Sequence, residues 1–447
     1  MTTRGVFSSR LGFILAASGS AVGLGNVWGF PSQVASNGGA AFVLMYLVLA
    51  FVLAYPVLMA ELLIGRATES NVVDALGSVS KGRSGRIVGM WGIATVSLIL
   101  AFYGIVGGWM LSYTLEALAS LAGLELKQEQ LAGWLVASSL PRNILFCGIF
   151  MLLTVGIVSG GVVNGIERWS VRLMPTLFVL MLLLFGYVMT QDGAMDGLKV
   201  YLLPDFKEVL NPDLLISAMG QAFFSMSLGV GTMLIYGSYV SHKENMPKLG
   251  ASVALVDIGV AVLAGLLIIP AMYVALHNGV EIFGANGQLL AEDTLIFTVL
   301  PSLFATMGSV GLVVACAFFL LMSIAALTSS ISMLEVPVSY VVENRKVARN
   351  RAVWLIAAVI FAISVLILCN FELLFGFVIA LTTQYSQPLL GLMLCIFAGW
   401  VWNRNSILAE LKKGDSQADN SWFWRIWPWY VKFVCPVIIL LMFYRSL

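Results

Sequence analysis

Apolar residues in this chain do not alternate, and they do not recur on one helical face. They run on around the whole circumference through eleven windows, near 11–36, 40–65, 87–120, 141–160, 167–190, 214–240, 247–277, 302–341, 352–369, 374–402 and 424–446. About 20 such residues cross the ~30 Å hydrocarbon core of a bilayer, so each window predicts a membrane-spanning helix. The polar stretches between windows are too short to fold alone. The pattern therefore predicts an all-α polytopic membrane protein in which one membrane domain fills residues 1–447.

Two windows are poor helices. The first holds Gly12, Gly19, Gly23, Gly25, Gly29 and Pro31, and the sixth holds Gly220, Gly229 and Gly231; each interior glycine weakens a helix by up to ~1 kcal/mol. Both predict a break near the bilayer midplane. The two windows share Ser-x-x-Gly-x-Gly, from Ser20 to Gly25 and, one residue shorter, from Ser227 to Gly231. They stand first in each half if residues 11–190 and 214–402 are two repeats of five spans, with 424–446 an eleventh helix outside them. An odd number of spans places the repeats in opposite orientations. Paired interruptions in inverted repeats point to a transporter's binding site, because unwound amides and carbonyls can face a ligand instead of lipid. A lone Gly-x-Gly would mean only close helix packing; the matched pair favours the break.

Composition agrees and narrows the function. The chain is 60% hydrophobic and only 11% charged, where a soluble domain carries about a quarter charged residues. A net charge of +1 without any basic tract excludes nucleic-acid binding, which needs clustered Lys and Arg. With the N-terminus in the cytoplasm, eighteen of the Lys and Arg residues collect on the inner side, while Lys127, Arg142, Lys199, Lys207 and Arg445 remain outside. That asymmetry fits positive-inside orientation and puts the C-terminus outside. No cleavable leader and no Asn-x-Ser/Thr sequon is evident, which fits a bacterial inner membrane. Cys147, Cys316, Cys369, Cys395 and Cys435 lie in or beside apolar windows, so neither disulfides nor a metal are expected. Histidine occurs only as His242 and His277, and no catalytic set is recognisable, so the chain reads as no enzyme.

Several stretches are more specific than any of this. They are Arg10-Leu-Gly-Phe-Ile-Leu through Gly-Leu-Gly-Asn26 to Phe30-Pro31, Asn37-Gly-Gly, Gly165-Ile-Glu-Arg-Trp through Met174-Pro-Thr-Leu-Phe178, Gly220-Gln-Ala-Phe-Phe-Ser-Met-Ser-Leu-Gly229, and Leu327-Thr-Ser-Ser-Ile331. On these the chain resembles the neurotransmitter:sodium symporter family over its full length. The resemblance implies alternating-access import of a neutral amino acid driven by sodium, with the broken helices holding both cargo and ions.

Residue by residue, the resemblance implies a first sodium on the carbonyl of Ala21, the side chain of Asn26, the carbonyl and hydroxyl of Ser225 and the carboxylate of Asp257. A second sodium would take the carbonyls of Gly19, Val22 and Ala325 with the hydroxyls of Thr328 and Ser329. Both sets supply the hard oxygen donors a small cation requires. The substrate's carboxylate would meet the amides of Leu24 and Gly25 and the hydroxyl of Tyr103, and complete the first sodium site. Ser20, Ile99, Phe224, Ser227, Val230 and Met333, beside Ser225 and Ser329, would surround the rest of the substrate. Amine carriers in the family place Asp in the first break, where this chain has Gly23, so an amino acid is the better cargo. Val230 stands where relatives can hold an aromatic, which leaves room for a hydrophobic or aromatic side chain.

The chain departs from the family pattern in two places. Asp257 replaces the more usual Asn, and a carboxylate inside a span costs about 2.5 to 3.5 kcal/mol on insertion scales, so it implies a cation partner. The residue one turn on is Ala261. Chloride is therefore expected to be dispensable. The outer ion pair of the family is also missing, because Gly29 occupies its Arg position and no acid lies between Glu372 and Arg404. Outer closure is left to Phe224 and Tyr103, while Arg4 and Glu343 match the inner gate pair.

Glu61 and Glu335 are expected to bond the unwound backbone, and Gly165 and Pro175 to bracket a stretch of the fifth span that unwinds. Two other readings share this fold: a proton-coupled carrier titrating at Asp257 or Glu335, and an amino-acid sensor that moves nothing. Oligomeric state is not legible.

Overall fold

A computed structural model describes residues 5–123, 139–204, 206, 209, 211–284, 289–290 and 295–446. Arg4, Lys127 and Lys207 lie outside these described residues. Among them no strand forms, and one isolated bridge joins Phe283 and Leu289. The helices are α1 (Arg10–Ala21), α2 (Gly25–Ser36), α3 (Ala40–Thr68), α4 (Val72–Ser80), α5 (Arg83–Leu121), α6 (Leu140–Ser159), α7 (Val162–Val188), α8 (Ala194–Leu202), α9 (Pro212–Ser225), α10 (Thr232–Gly237), α11 (Met246–His277), α12 (Leu300–Thr306), α13 (Gly308–Arg345), α14 (Arg349–Cys369), α15 (Phe371–Val401), α16 (Arg404–Gly414) and α17 (Trp422–Tyr444). Among the described residues nine helices are long and apolar enough to cross a membrane.

The remaining two predicted spans are the broken ones. α1 and α2 meet at 56° and together make a tenth candidate span. α9 and α10 have 14 and 6 residues, each too short at 1.5 Å per residue to cross alone, and residues 226–231 between them are irregular. The eighth span starts later than its apolar window, because α12 is a separate helix before Gly308. The fifth starts earlier, in a wide π-helical turn at Val162–Glu167 that follows the positive-φ residue Gly161; Pro175 lies inside the continuing helix.

The broken spans sit at the centre of the bundle. α1 packs against α7, α11 and α13, while α9 and α10 both pack on α3. α5 and α13 run along each other beside them, and α14 covers α5 and α6. The break of the first span thereby faces the middle of α5 and α13, and nearly every side chain there is buried. Outward, α17 packs on α15 and exposes Trp422, Trp429 and Tyr444, ring-bearing residues suited to a bilayer surface.

Candidate functional site

An α-helix satisfies the carbonyl of residue i with the amide of residue i+4. At the first break this exchange fails. The amide of Gly23 donates instead to Asn26 Oδ1 (3.1 Å), that of Leu24 to the Tyr103 hydroxyl (2.9 Å), and that of Asn26 to the Gly23 carbonyl (3.1 Å). The carbonyls of Gly19, Ser20 and Val22 thus lose their helical partners in a buried place, where a bare carbonyl costs free energy. Gly23 permits the arrangement, since a Cβ there would collide with the hydroxyls of Tyr103 and Ser329.

Helix α13 supplies what the freed carbonyls need. Ser329 Oγ lies 3.4 Å from Gly19 O, 3.2 Å from Ser20 O and 3.1 Å from Val22 O. Thr328 Oγ1 lies 3.4 Å from Val22 O and 3.0 Å from Ala325 O. All five residues expected around a second cation are therefore gathered in one cluster of oxygens. Every group in it is neutral.

A second cluster joins four helices. Asn26 Nδ2 donates to Ser225 Oγ (2.8 Å), Asp257 Oδ1 (2.7 Å) and Asp257 O (3.2 Å), and Ser225 Oγ donates to Asp257 Oδ2 (2.8 Å). Tyr46 of α3 reaches Ser225 Oγ at 3.2 Å. None of these four side chains is exposed. The amide nitrogen of Asn26 stands where its oxygen must be to hold a cation, and half a turn about the last torsion exchanges them. Tyr46 was not expected here: a tyrosine in an apolar window reads as packing, and nothing in the sequence separates the two roles.

Between the clusters lies a cavity of ≈ 20 Å³, bounded by Ala21, Gly23, Gly25, Ile99, Tyr103, Phe224, Ser227, Val230, Ser329, Met333 and Gln387. One water-sized body fills it, so a larger occupant requires side chains to move. Phe224 is only half-buried, and Met333 is unbranched and adaptable. Ser20 departs from expectation, since it does not line the cavity and its hydroxyl bonds Ser332 Oγ at 2.7 Å. Leu24 contributes its amide and no wall, and Ser225 belongs to the Asp257 cluster. Gln387 of α15 is an unexpected wall.

The sixth span breaks by positive-φ residues: Ser227 (φ 51), Gly229 (φ 87) and Gly231 (φ 84). This conformation is cheap for glycine and strained for serine. Ser227 is held there by its hydroxyl on Ser20 O (3.2 Å) and by Thr232 Oγ1 on its carbonyl (3.0 Å). Glu61 of α3 accepts the amides of Gly229 (2.6 Å) and Leu234 (3.3 Å), the backbone role expected of it. Glu335 does something else. It accepts Arg349 at 2.6 Å and the Tyr239 hydroxyl at 2.8 Å, because a guanidinium within reach outcompetes backbone amides for a buried carboxylate.

At the predicted outer closure, Gln221 Nε2 donates to Gly25 O at 2.7 Å beside Gly29, which ties α9 to α2 without charge. On the opposite side the segment before α1 is held down. Phe7 donates its amide to Tyr239 O (3.1 Å), and Glu167 accepts Ser8 through both its amide (2.8 Å) and its hydroxyl (2.7 Å). Glu343 accepts the amide of Asn71 at 2.9 Å; its expected partner Arg4 lies outside the described residues.

Comparison with known proteins places this geometry. The sodium:neurotransmitter symporter family model matches residues 4–129 and 137–447. The uncharacterized sodium-dependent transporter YhdH of Bacillus subtilis is 35% identical across 98% of this chain and 96% of its own length. An uncharacterized sodium-dependent transporter of Haemophilus influenzae is 32% identical across 99% and 98%. Among solved structures, MhsT in complex with L-phenylalanine superposes with a TM-score of 0.86 at 34% identity, covering 99% of this chain and all of that one.

Proposed function

We propose, from the premise that this chain belongs to the sodium:neurotransmitter symporter family and is a sodium-dependent membrane transporter, that it imports a neutral hydrophobic or aromatic amino acid together with two sodium ions and without chloride. The observation that carries the proposal is the junction of two oxygen clusters with one largely apolar cavity, all assembled on the broken first span.

The first sodium sits among Ala21, Asn26, Ser225 and Asp257, and the second among Gly19, Val22, Ala325, Thr328 and Ser329. Asp257 gives the first site its own negative charge, which supports independence from chloride. The substrate's carboxylate lies at Leu24, Gly25 and Tyr103, and its side chain extends among Ile99, Phe224, Val230 and Met333. Crowding at Gly23 supports an amino acid over an amine, because no carboxylate can be grafted at that position without displacing Tyr103 and Ser329. The phenylalanine held by MhsT is of the proposed class.

Residues 11–190 and 214–402 form the two repeats, the protein lies in a bacterial inner membrane, and the N-terminus is cytoplasmic with the C-terminus outside. Phe224 and Tyr103 close the outer side; Arg4 and Glu343 close the inner one. Uptake of a labelled amino-acid panel into proteoliposomes, with and without an inward sodium gradient, tests the reading. No sodium-stimulated accumulation of any amino acid refutes it, and collapse of uptake when gluconate replaces chloride refutes the chloride clause.

A further inference from the structure

The cavity wall contributed by α15 is polar, as are those contributed by Tyr103, Ser227 and Ser329. Gln387 is 3% exposed and lines the cavity beside Phe224, Val230 and Met333. Its amide nitrogen reaches the Phe223 carbonyl at 3.4 Å, whereas no described donor reaches its oxygen. Turning the amide over would set Oε1 against that carbonyl oxygen, so the hydrogen bond fixes which end faces away from Phe223. A π-helical stretch, Ala380–Ser386, ends immediately before Gln387, and such bulges are frequent at functional sites.

A buried amide oxygen without a donor is unfavourable, and the missing partner must be an N–H or O–H. The apolar walls Ile99, Phe224, Val230 and Met333 have no such group to give, and the hydroxyls of Ser227 and Ser329 already donate to carbonyls of the first span. We infer that Gln387 is a specificity-determining residue whose Oε1 accepts a hydrogen bond from the side chain of the transported amino acid. It selects aromatic side chains carrying a ring N–H or O–H, such as indole or phenol, over those carrying none. The inference rests on the proposed reading that this cavity takes the substrate side chain. A site built to bond a polar group rejects the analogue lacking it more strongly than it rejects a change of bulk.

The probe is a pair of near-isosteres, L-tryptophan and 3-benzothienyl-L-alanine, in which sulfur replaces the ring N–H. Affinity is measured in detergent with sodium, by competition and by shift in Tm, independently of transport. Wild-type protein should hold tryptophan about tenfold more tightly. Gln387→Met should bring the ratio close to one, and Gln387→Glu, which retains an acceptor, should preserve the preference. The ratio between ligands is the readout, so changes common to both do not enter it. Equal affinities in the wild type, no binding of either ligand, or an unchanged ratio in Gln387→Met overturns the inference; the first two need no variant to fold. Discrimination in binding without sodium-driven accumulation in proteoliposomes leaves it standing and removes the transport reading instead.

Discussion

Asn26 and Asp257 lie 231 positions apart in the chain and meet at 2.7 Å, amide nitrogen to carboxylate, with neither side chain exposed. Ser225 donates to the other carboxylate oxygen at 2.8 Å, so two donors on two broken spans converge on one acid of α11. A cation entering this cluster has to displace both donors. Asn26 would then turn its oxygen inward and Ser225 swing its proton away, so that one ion would draw on side chains of both broken spans. On the proposed reading, binding of the first sodium would be linked to both breaks through this cluster.

Asp257→Asn keeps the shape of the cluster and removes its charge. The first sodium would then rest on neutral protein oxygens, with the substrate's carboxylate as its one charged ligand. The sodium concentration giving half-maximal uptake should rise by about tenfold or more, equivalent to at least ~1.4 kcal/mol. Initial rates against sodium concentration measure this directly, and an unchanged half-maximum means that Asp257 does not hold the ion.

Ser329 Oγ lies within 3.4 Å of three carbonyls on the first span. Ser329→Ala removes the oxygen shared by all three contacts. Uptake should fall at least tenfold, by about the energy of a lost charge-assisted contact. Residual uptake should depend on sodium with a Hill coefficient near one, where the wild type approaches two. A coefficient still near two in this variant speaks against a cation among these oxygens.

Glu61 accepts one amide with each carboxylate oxygen, Gly229 on Oε1 and Leu234 on Oε2. Glu61→Gln retains one acceptor and turns a donor toward the second amide, leaving a buried N–H unpaired beside a buried NH₂. That costs about 1 to 3 kcal/mol. A lower Tm in detergent, with the sodium half-maximum of any remaining uptake little changed, is the expected outcome. An unaltered Tm would indicate that the break of the sixth span needs no such support.

The spans and the two breaks were legible because both rest on strong, one-dimensional signals: uninterrupted apolar runs and matched glycines. Gathering the oxygens of Gly19, Val22, Ala325, Thr328 and Ser329 in one place required the resemblance, since a hydroxyl in an apolar helix usually bonds its own carbonyl three or four residues back. Thr328 does so too, to Ile324 O at 3.1 Å. Tyr46 and Gln387 were not legible. Each is a single polar residue whose meaning depends on which way one helix is rotated, and apolar runs carry no rotational phase. Ser20 was misplaced for the same reason. Glu335 was misread because Arg349, 14 residues on, returns to it only across the turn between α13 and α14.

Arg66 of α3 is fully buried, with Nε 2.6 Å from Glu410 Oε1, Nη2 2.6 Å from Glu410 O and Nη1 2.8 Å from Glu244 O. Lys413 adds a contact of 2.7 Å to the same carboxylate. Burial pushes the Glu410 carboxyl upward, but the Lys413 hydrogen bond and the Arg66 charge outweigh it and hold the group below the usual glutamate range. A depressed folded-state value means that the stabilisation is present above the unfolded value, ~4.3, and is lost as pH falls through the folded one. The carboxylate's contribution should therefore be lost only in acid. Glu410→Gln leaves Arg66 buried without its counter-charge, a change worth about 3 to 5 kcal/mol. Its Tm at pH 7 should fall well below that of the wild type, and the gap should narrow as both are taken toward pH 3. A gap that stays constant from pH 7 to 3 would show that the tie between α3 and α16 rests on packing rather than on charge.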